Sequence, residues 1–162
     1  MDLKETKDIL NKFAKYVIKQ ARTNLTKGNK NSSKQLYDSL DYKLKVGQNS
    51  FGLSFLMEEY GAYQDQGVSG KKRKFDTPFS FKSKMPPPSS LDKWSVRKGI
   101  APRDKKGRFI KRQSLNFLIA RSIFTYGIKP SMFFTKPFEK AFNDLPPELT
   151  NAFAIDIENS IE

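Results

Sequence analysis

Between Lys71 and Arg112 the chain carries 15 basic and three acidic residues, and the same stretch holds Pro78 and the run Pro86-Pro87-Pro88. Charge at this density cannot be buried without partners, because an unpaired charge in an apolar interior is very unfavourable. Consecutive prolines have no N–H to donate and favour extended backbone. With Gly67 and Gly70 ahead of it, the segment reads as an arm or loop, and the core has to be found elsewhere. The stretch before it, through Gly70, is net +3, and the stretch from Gln113 is net −2, so nearly all of the net +13 sits in the middle.

The flanks supply the periodicity that the middle lacks. Leu3, Ile9, Leu10, Phe13, Tyr16, Val17 and Ala21 recur at helical spacing, which predicts a helix from about Leu3 to Leu25, opened by an Asp2/Glu5 capping box. The polar stretch 26–33 ends it. A short helical turn is predicted over Lys34 to Leu40. Tyr42, Leu44 and Val46 then alternate with lysines, and Phe51, Leu53 and Phe55 alternate after the turn Gly47-Gln48-Asn49, so the two runs read as a β-hairpin. A short helix over Glu58 to Gln66 carries Tyr60 and Tyr63 on one face. Ser90 is placed to cap a helix from Leu91 to Lys98, which Gly99 ends. Leu115, Leu118, Ile119, Ile123 and Tyr126 mark a helix from Gln113 that stops at Gly127. Pro137 opens another, and Pro146-Pro147 divides it from a last helix bearing Leu149, Ala152, Phe153, Ile157 and Ile161. The expected class is α+β, with a two- to four-stranded antiparallel sheet packed by the first helix and the helix from Gln113. The 162 residues fit a single domain, residues 1–162, with 68–90 and 100–112 as extended basic arms or loops.

Several functions are excluded by residues the chain does not have. It contains no cysteine and no histidine, which removes disulfides, thiolate zinc sites, cysteine nucleophiles, Ser-His-Asp triads and imidazole metal sites. Neither GxxxxGK[ST] nor GxGxxG occurs. Glu58, Glu59, Asp65 and Asp76 could in principle converge on metals as in a nuclease, but ordinary surface or hydrogen-bonding roles explain them more simply. The expectation is no enzyme, no cofactor and no metal. No apolar run reaches the ~18 residues of a membrane span. The opening Met1-Asp2-Leu3-Lys4-Glu5 lacks the pattern of a signal peptide, so a soluble protein made inside a cell is expected.

Two basic clusters are the candidate contact residues: Lys71, Lys72, Arg73 and Lys74, and then Arg103, Lys105, Lys106 and Arg108 with Lys111 and Arg112. Phe75, Phe79 and Phe81 stand beside the first, in a segment without core periodicity, and are assigned as contacts to nucleic acid or to a protein neighbour. Lys/Arg density of this kind attracts a polyanion through counterion release, whatever the base sequence. A solvated loop surface, or pairing with acidic patches on neighbouring subunits, would account for the same residues.

Short patterns follow one another in a suggestive order. The long N-terminal helix leads into Gln35-Leu36-Tyr37-Asp38-Ser39-Leu40 and Tyr42-Lys43-Leu44-Lys45-Val46. Next come Tyr60-Gly61-Ala62-Tyr63 with Gly67, and Pro86-Pro87-Pro88 with Leu91, Trp94 and Lys98-Gly99-Ile100. Ile119-Ala120-Arg121-Ser122-Ile123, Gly127-Ile128-Lys129-Pro130 and Phe133-Phe134-Thr135-Lys136-Pro137-Phe138-Glu139-Lys140-Ala141 complete the series. This order resembles the tail-completion, or head-to-tail joining, proteins of tailed bacteriophages, the lambdoid tail-component family of neck proteins. The chain departs from it at Asp65-Gln66-Gly67-Val68, where the family often has Glu-Phe-Gly-Thr. The resemblance implies a structural virion protein, made in the host cytoplasm, that forms a ring of six or twelve copies in the neck. Its implied partners are portal and tail proteins and the packaged double-stranded DNA, with no membrane and no catalytic residues. The alternative is a free, non-specific nucleic-acid-binding protein using the same basic segment.

Overall fold

The computed structural model describes residues 3–47 and 50–161. Asp2 of the expected capping box, and Gln48 and Asn49 of the expected turn, lie outside the described residues. The elements in order are α1 (Lys4–Lys27), α2 (Gln35–Ser39), β1 (Asp41–Val46), β2 (Phe51–Leu56), α3 (Tyr60–Gln66), a 3-10 turn (Pro88–Leu91), α4 (Asp92–Arg97), α5 (Arg112–Tyr126) and α6 (Thr135–Ile161). The fold is α+β, and its sheet has two antiparallel strands among the described residues. The chain, read from sequence as one domain, gathers into two compact units: one runs through Glu58 and resumes at Met132, and the other is the inserted stretch Glu59–Ser131.

The first unit holds the hydrophobic core. Leu10, Phe13, Val17, Ala21 and Leu25 of α1 fall on one face and are buried. β1 and β2 pair in the register Tyr42↔Phe55, Leu44↔Leu53, Val46↔Phe51, so the alternating apolar residues share the face that meets α1. Phe13 of α1 and Phe55 of β2 meet each other edge to face, Phe138 is edge to face with both and Phe134 with Phe55, with centroids 5.1–6.2 Å apart. Each such pair adds about 0.5–1.5 kcal/mol beyond its buried area. Arg22 of α1 donates to the carbonyls of Tyr37 (3.1 Å) and Leu40 (3.0 Å), closing the open end of α2.

The helix that packs along α1 is α6. This corrects the expectation for the helix from Gln113, which belongs to the second unit as α5. The apolar residues of α5 lie all round its axis, leaving Phe117, Leu118 and Tyr126 exposed and only Asn116 and Ala120 buried. A second correction concerns Pro146-Pro147, which lie inside α6 and do not divide it. Each proline removes one helical hydrogen bond. Leu145, Leu149, Ala152 and Asp156 nevertheless fall on one helical face and are held against the core or buried, so packing carries the helix through.

α1 has no cap from its own neighbours, since Leu3 occupies the N-cap position. Its free N–H groups are met from α6: the Asp156 carboxylate accepts Glu5 N–H (2.9 Å), Thr6 N–H (2.9 Å) and the Thr6 hydroxyl (2.7 Å). This is the work of an N-cap side chain, done from 150 residues away. Burial pushes the Asp156 carboxyl up. The Thr6 hydroxyl, the Thr6 and Glu5 N–H groups and nearby Lys7 outweigh it and hold the group below the usual aspartate value.

The second unit is built differently. Among its described residues only Val68 and Ala120 are buried apolar side chains, whereas Asp65, Ser69, Ser95 and Asn116 are buried polar ones. Asn116 donates to Asp92 at 3.0 Å and ties α5 to α4. Ser90 does not cap α4: its hydroxyl donates to the Pro87 carbonyl (2.7 Å) and shapes the 3-10 turn.

Candidate functional site

Every contact residue assigned from sequence lies in the second unit, Glu59–Ser131. That unit carries 17 basic and five acidic residues, net +12, while the first unit is net +1. The charge asymmetry of the sequence is therefore an asymmetry between two folded bodies.

The first basic cluster sits on a backbone knot. α3 and α5 both end at a glycine, Gly67 (φ 76°, ψ 179°) and Gly127 (φ 76°, ψ −170°), a region open only to glycine. The residues that follow pair through Val68 N–H to Ile128 O (2.9 Å) and Ile128 N–H to Val68 O (2.8 Å). A side chain on Gly127 would run into the Val68 carbonyl. Next, Lys71 N–H and Lys72 N–H donate to the carbonyls of Phe124 (3.0 Å) and Thr125 (2.8 Å), which the end of α5 leaves without helical partners. Lysines belong at that end, where the helix dipole is negative.

Residues 68–90, read from sequence as an extended basic arm or loop, fold back on themselves as far as Phe81. Ser69 exchanges hydrogen bonds with Phe79 and Phe81, and its hydroxyl both donates to and accepts from Phe75. The side chains of Lys71, Lys72, Arg73 and Lys74 are exposed on this knot. The Lys74 ammonium donates to the Gly70 carbonyl (3.0 Å), and the Arg73 guanidinium lies 5.1 Å over the Phe75 ring. Phe79 packs edge to face on Tyr63 (4.5 Å) and Phe81 lies tilted against Phe124 (6.2 Å), with the Lys71 ammonium 5.7 Å above Phe124. Phe79 and Phe81 thus line a groove of about 580 Å³ together with Tyr60, Tyr63, Gln64 and Lys82.

The second cluster is a tight hairpin tip. Asp104 N–H donates to Arg108 O (2.8 Å), Gly107 N–H to Asp104 O (2.9 Å) and Ile110 N–H to Pro102 O (3.0 Å). The Asp104 carboxylate accepts the N–H groups of Lys106 and Arg108 and the Arg108 guanidinium, each at 2.9 Å. The backbone hydrogen bond from Arg108 is the main cause that holds its carboxyl below the usual value. One acid thereby organises a turn that projects Lys105 and Lys106. Arg103 stacks 3.8 Å over Phe109, whose ring is 67% exposed. Lys111 and Arg112 stand at the start of α5, where they add to the positive end of its dipole.

The chain matches no family model, no characterised protein and no solved structure.

The residues missed from sequence are Tyr63, Lys82, Phe109 and Phe124. Phe109, set between Arg108 and Lys111, carried a readable signal, an aromatic ring inside a basic run. The others were unmarked, because only the fold brings them to the knot. Among the described residues no three acidic side chains gather to hold a metal, so Glu58, Glu59, Asp65 and Asp76 form no such centre. No described helix is long and apolar enough to cross a membrane.

Proposed function

We propose that the chain is a structural virion protein of a tailed phage, a ring-forming component of the neck that joins head to tail. In this reading the second unit meets the DNA channel or the next subunit. One observation carries it beyond the family resemblance. The second unit buries two apolar side chains among its described residues yet exposes nine large ones, including Trp94, Phe109, Phe117, Leu118 and Tyr126, under a net charge of +12. Apolar side chains left exposed in this number, on more than one side of α5, suit contacts with partners, and the charge suits a polyanion or acidic neighbours.

Negative-stain microscopy of the purified protein tests the ring: closed particles of six or twelve copies are expected. A single copy per neck, measured by mass in assembled particles, would refute it. The second reading is free, non-specific nucleic-acid binding, favoured by the Arg103–Phe109 stack at an exposed tip, a pairing suited to backbone and base contact. Tight duplex binding by a monomer that never forms rings would select that reading.

A further inference from the structure

A second basic surface lies on α1, in the unit whose net charge is only +1. From Ile9 to Tyr37 the chain has seven lysines and arginines and no acid. Lys15, Lys19, Arg22 and Thr26 follow one another by four, three and four residues, so they share one stripe of α1. Lys27 stands about 18 Å along the axis from Lys15. All five line an open recess of about 710 Å³ with Tyr37 and Tyr42. Lys15, Lys19 and Lys27 are exposed and have no ion-pair partner among the described residues. The one acid in the lining, Asp41, accepts the Tyr42 N–H at 2.8 Å.

Arg22 is fixed before any ligand arrives. Its Nε–H and one Nη2–H donate to the carbonyls of Tyr37 and Leu40, and its guanidinium lies 5.2 Å over the Tyr37 ring. Of the five N–H donors of a guanidinium, three remain. Two of these, one on each terminal nitrogen, form the parallel fork that matches two oxygens of a phosphate.

The recess offers little else. Ile18 and Leu40 in its lining are buried in the core, Tyr37 and Tyr42 are half-buried, and the Tyr42 hydroxyl donates to Asn11 at 3.0 Å. Protein interfaces take most of their affinity from apolar and aromatic anchors at the centre, and no exposed large apolar side chain lies in this lining. Charge and N–H donors alone suffice for a polyanion. A strand of duplex DNA sets down a phosphate every ~3.4 Å of axis, so a row of cations this long meets several phosphates at once, whereas a single phosphate ion meets one or two of them.

We infer that the α1 recess is a binding site for a nucleic-acid backbone: the Arg22 fork grips one phosphate, and Lys15, Lys19 and Lys27 neutralise others along the strand. The inference adds a nucleic-acid contact on the first unit and stands whether or not the chain forms a ring.

Binding of a short mixed-sequence duplex to the full chain, titrated against salt, tests it. Lys15→Ser/Lys19→Ser/Lys27→Ser removes three exposed cations from the recess, and Lys30→Ser/Lys43→Ser/Lys45→Ser removes three exposed cations of the same unit outside it, with circular dichroism checking both folds. The recess variant is expected to bind at least about tenfold more weakly, with its log–log salt slope flattened by about 0.9 for each phosphate no longer neutralised. The control variant is expected to stay within about threefold of wild type, since salt screens charges that make no contact. Equal losses in the two variants, or no loss in the recess variant, overturn the inference. Polyglutamate of the same charge is then added as competitor: displacement of duplex from wild type as effectively as by unlabelled duplex marks an acidic protein surface as the occupant and also overturns it. Rings seen by microscopy together with an unaffected recess variant leave the neck reading intact and remove only this site.

Discussion

Gly127→Ala bears on the knot beneath the first basic cluster. An alanine there takes up a glycine-only backbone conformation, which is unfavourable by about 1–3 kcal/mol. Its Cβ also meets the Val68 carbonyl, with Gly70 N only 2.6 Å away, so Val68 and Ile128 must separate. Losing their two backbone hydrogen bonds removes about 1 kcal/mol each. The combined loss is about 3–5 kcal/mol. On a unit of this size that lowers the melting temperature by at least about 12 °C. The two units need not melt together, so the assay is native-state hydrogen exchange read at single amides. Val68, Lys71, Lys72 and Ile128 are expected to lose protection, while Val17 and Ala21 in α1 keep theirs. Under the proposed function duplex affinity falls too, since Lys71 and Lys72 are positioned through their backbone. Unchanged protection at Val68 and Ile128 would refute the account of the knot.

Asp156→Asn should destabilise the α1–α6 pair with a distinct pH signature. The folded carboxyl titrates below its unfolded value of about 3.9, so its stabilisation is present above that pH and lost as pH falls through the folded value. The gap in melting temperature between wild type and variant is therefore constant above about pH 5 and narrows in more acidic buffer; a pH-independent gap would contradict this. Phe133→Ala removes a ring that is 1% exposed and should lower stability in urea by about 3–5 kcal/mol; a loss under about 1 kcal/mol would mean the site collapses freely. Pro147→Ala restores a helical N–H at an exposed position and should raise the melting temperature, by up to about 3 kcal/mol of stability, and a decrease would show that α6 depends on the proline. Replacing Lys71, Lys72, Arg73 and Lys74 with serine should flatten the salt dependence of duplex binding by about 0.9 log–log units for each phosphate no longer neutralised, and an unchanged slope would mark the cluster as solvated surface.

The first unit was largely legible because side-chain periodicity encodes it. Leu10, Phe13 and Val17 announce a helix face, and Tyr42–Leu44 against Leu53–Phe55 announces a hairpin. The continuity of α6 was not legible, since Leu145, Leu149 and Ala152 form one face only if two prolines between them are tolerated, and tertiary packing decides that. Nor was the pairing of Asp156 with Thr6, as nothing local relates two residues so far apart. The basic knot escaped for a different reason: backbone N–H groups at Val68, Lys71 and Lys72 hold it together, and these leave no trace in residue pattern. The one trace was a repeated phrase, a helix stop at glycine followed by a β-branched residue, in Gly67-Val68 and Gly127-Ile128.

The pairing of α1 with α6 also sets a timetable for synthesis. At about 5–20 residues per second, α6 leaves the ribosome on the order of ten seconds after α1. Throughout that interval Phe13, Val17 and the uncapped amides of Glu5 and Thr6 have no final partner, although the hairpin can shelter part of the helix. The inserted unit, whose knot needs only residues between Tyr60 and Ser131, can finish folding first. The nascent chain then presents a completed, strongly cationic body beside an unfinished one, close to ribosomal RNA. Arrest of translation before α6 should therefore leave a chain that chaperones hold through α1 while the inserted unit already resists protease.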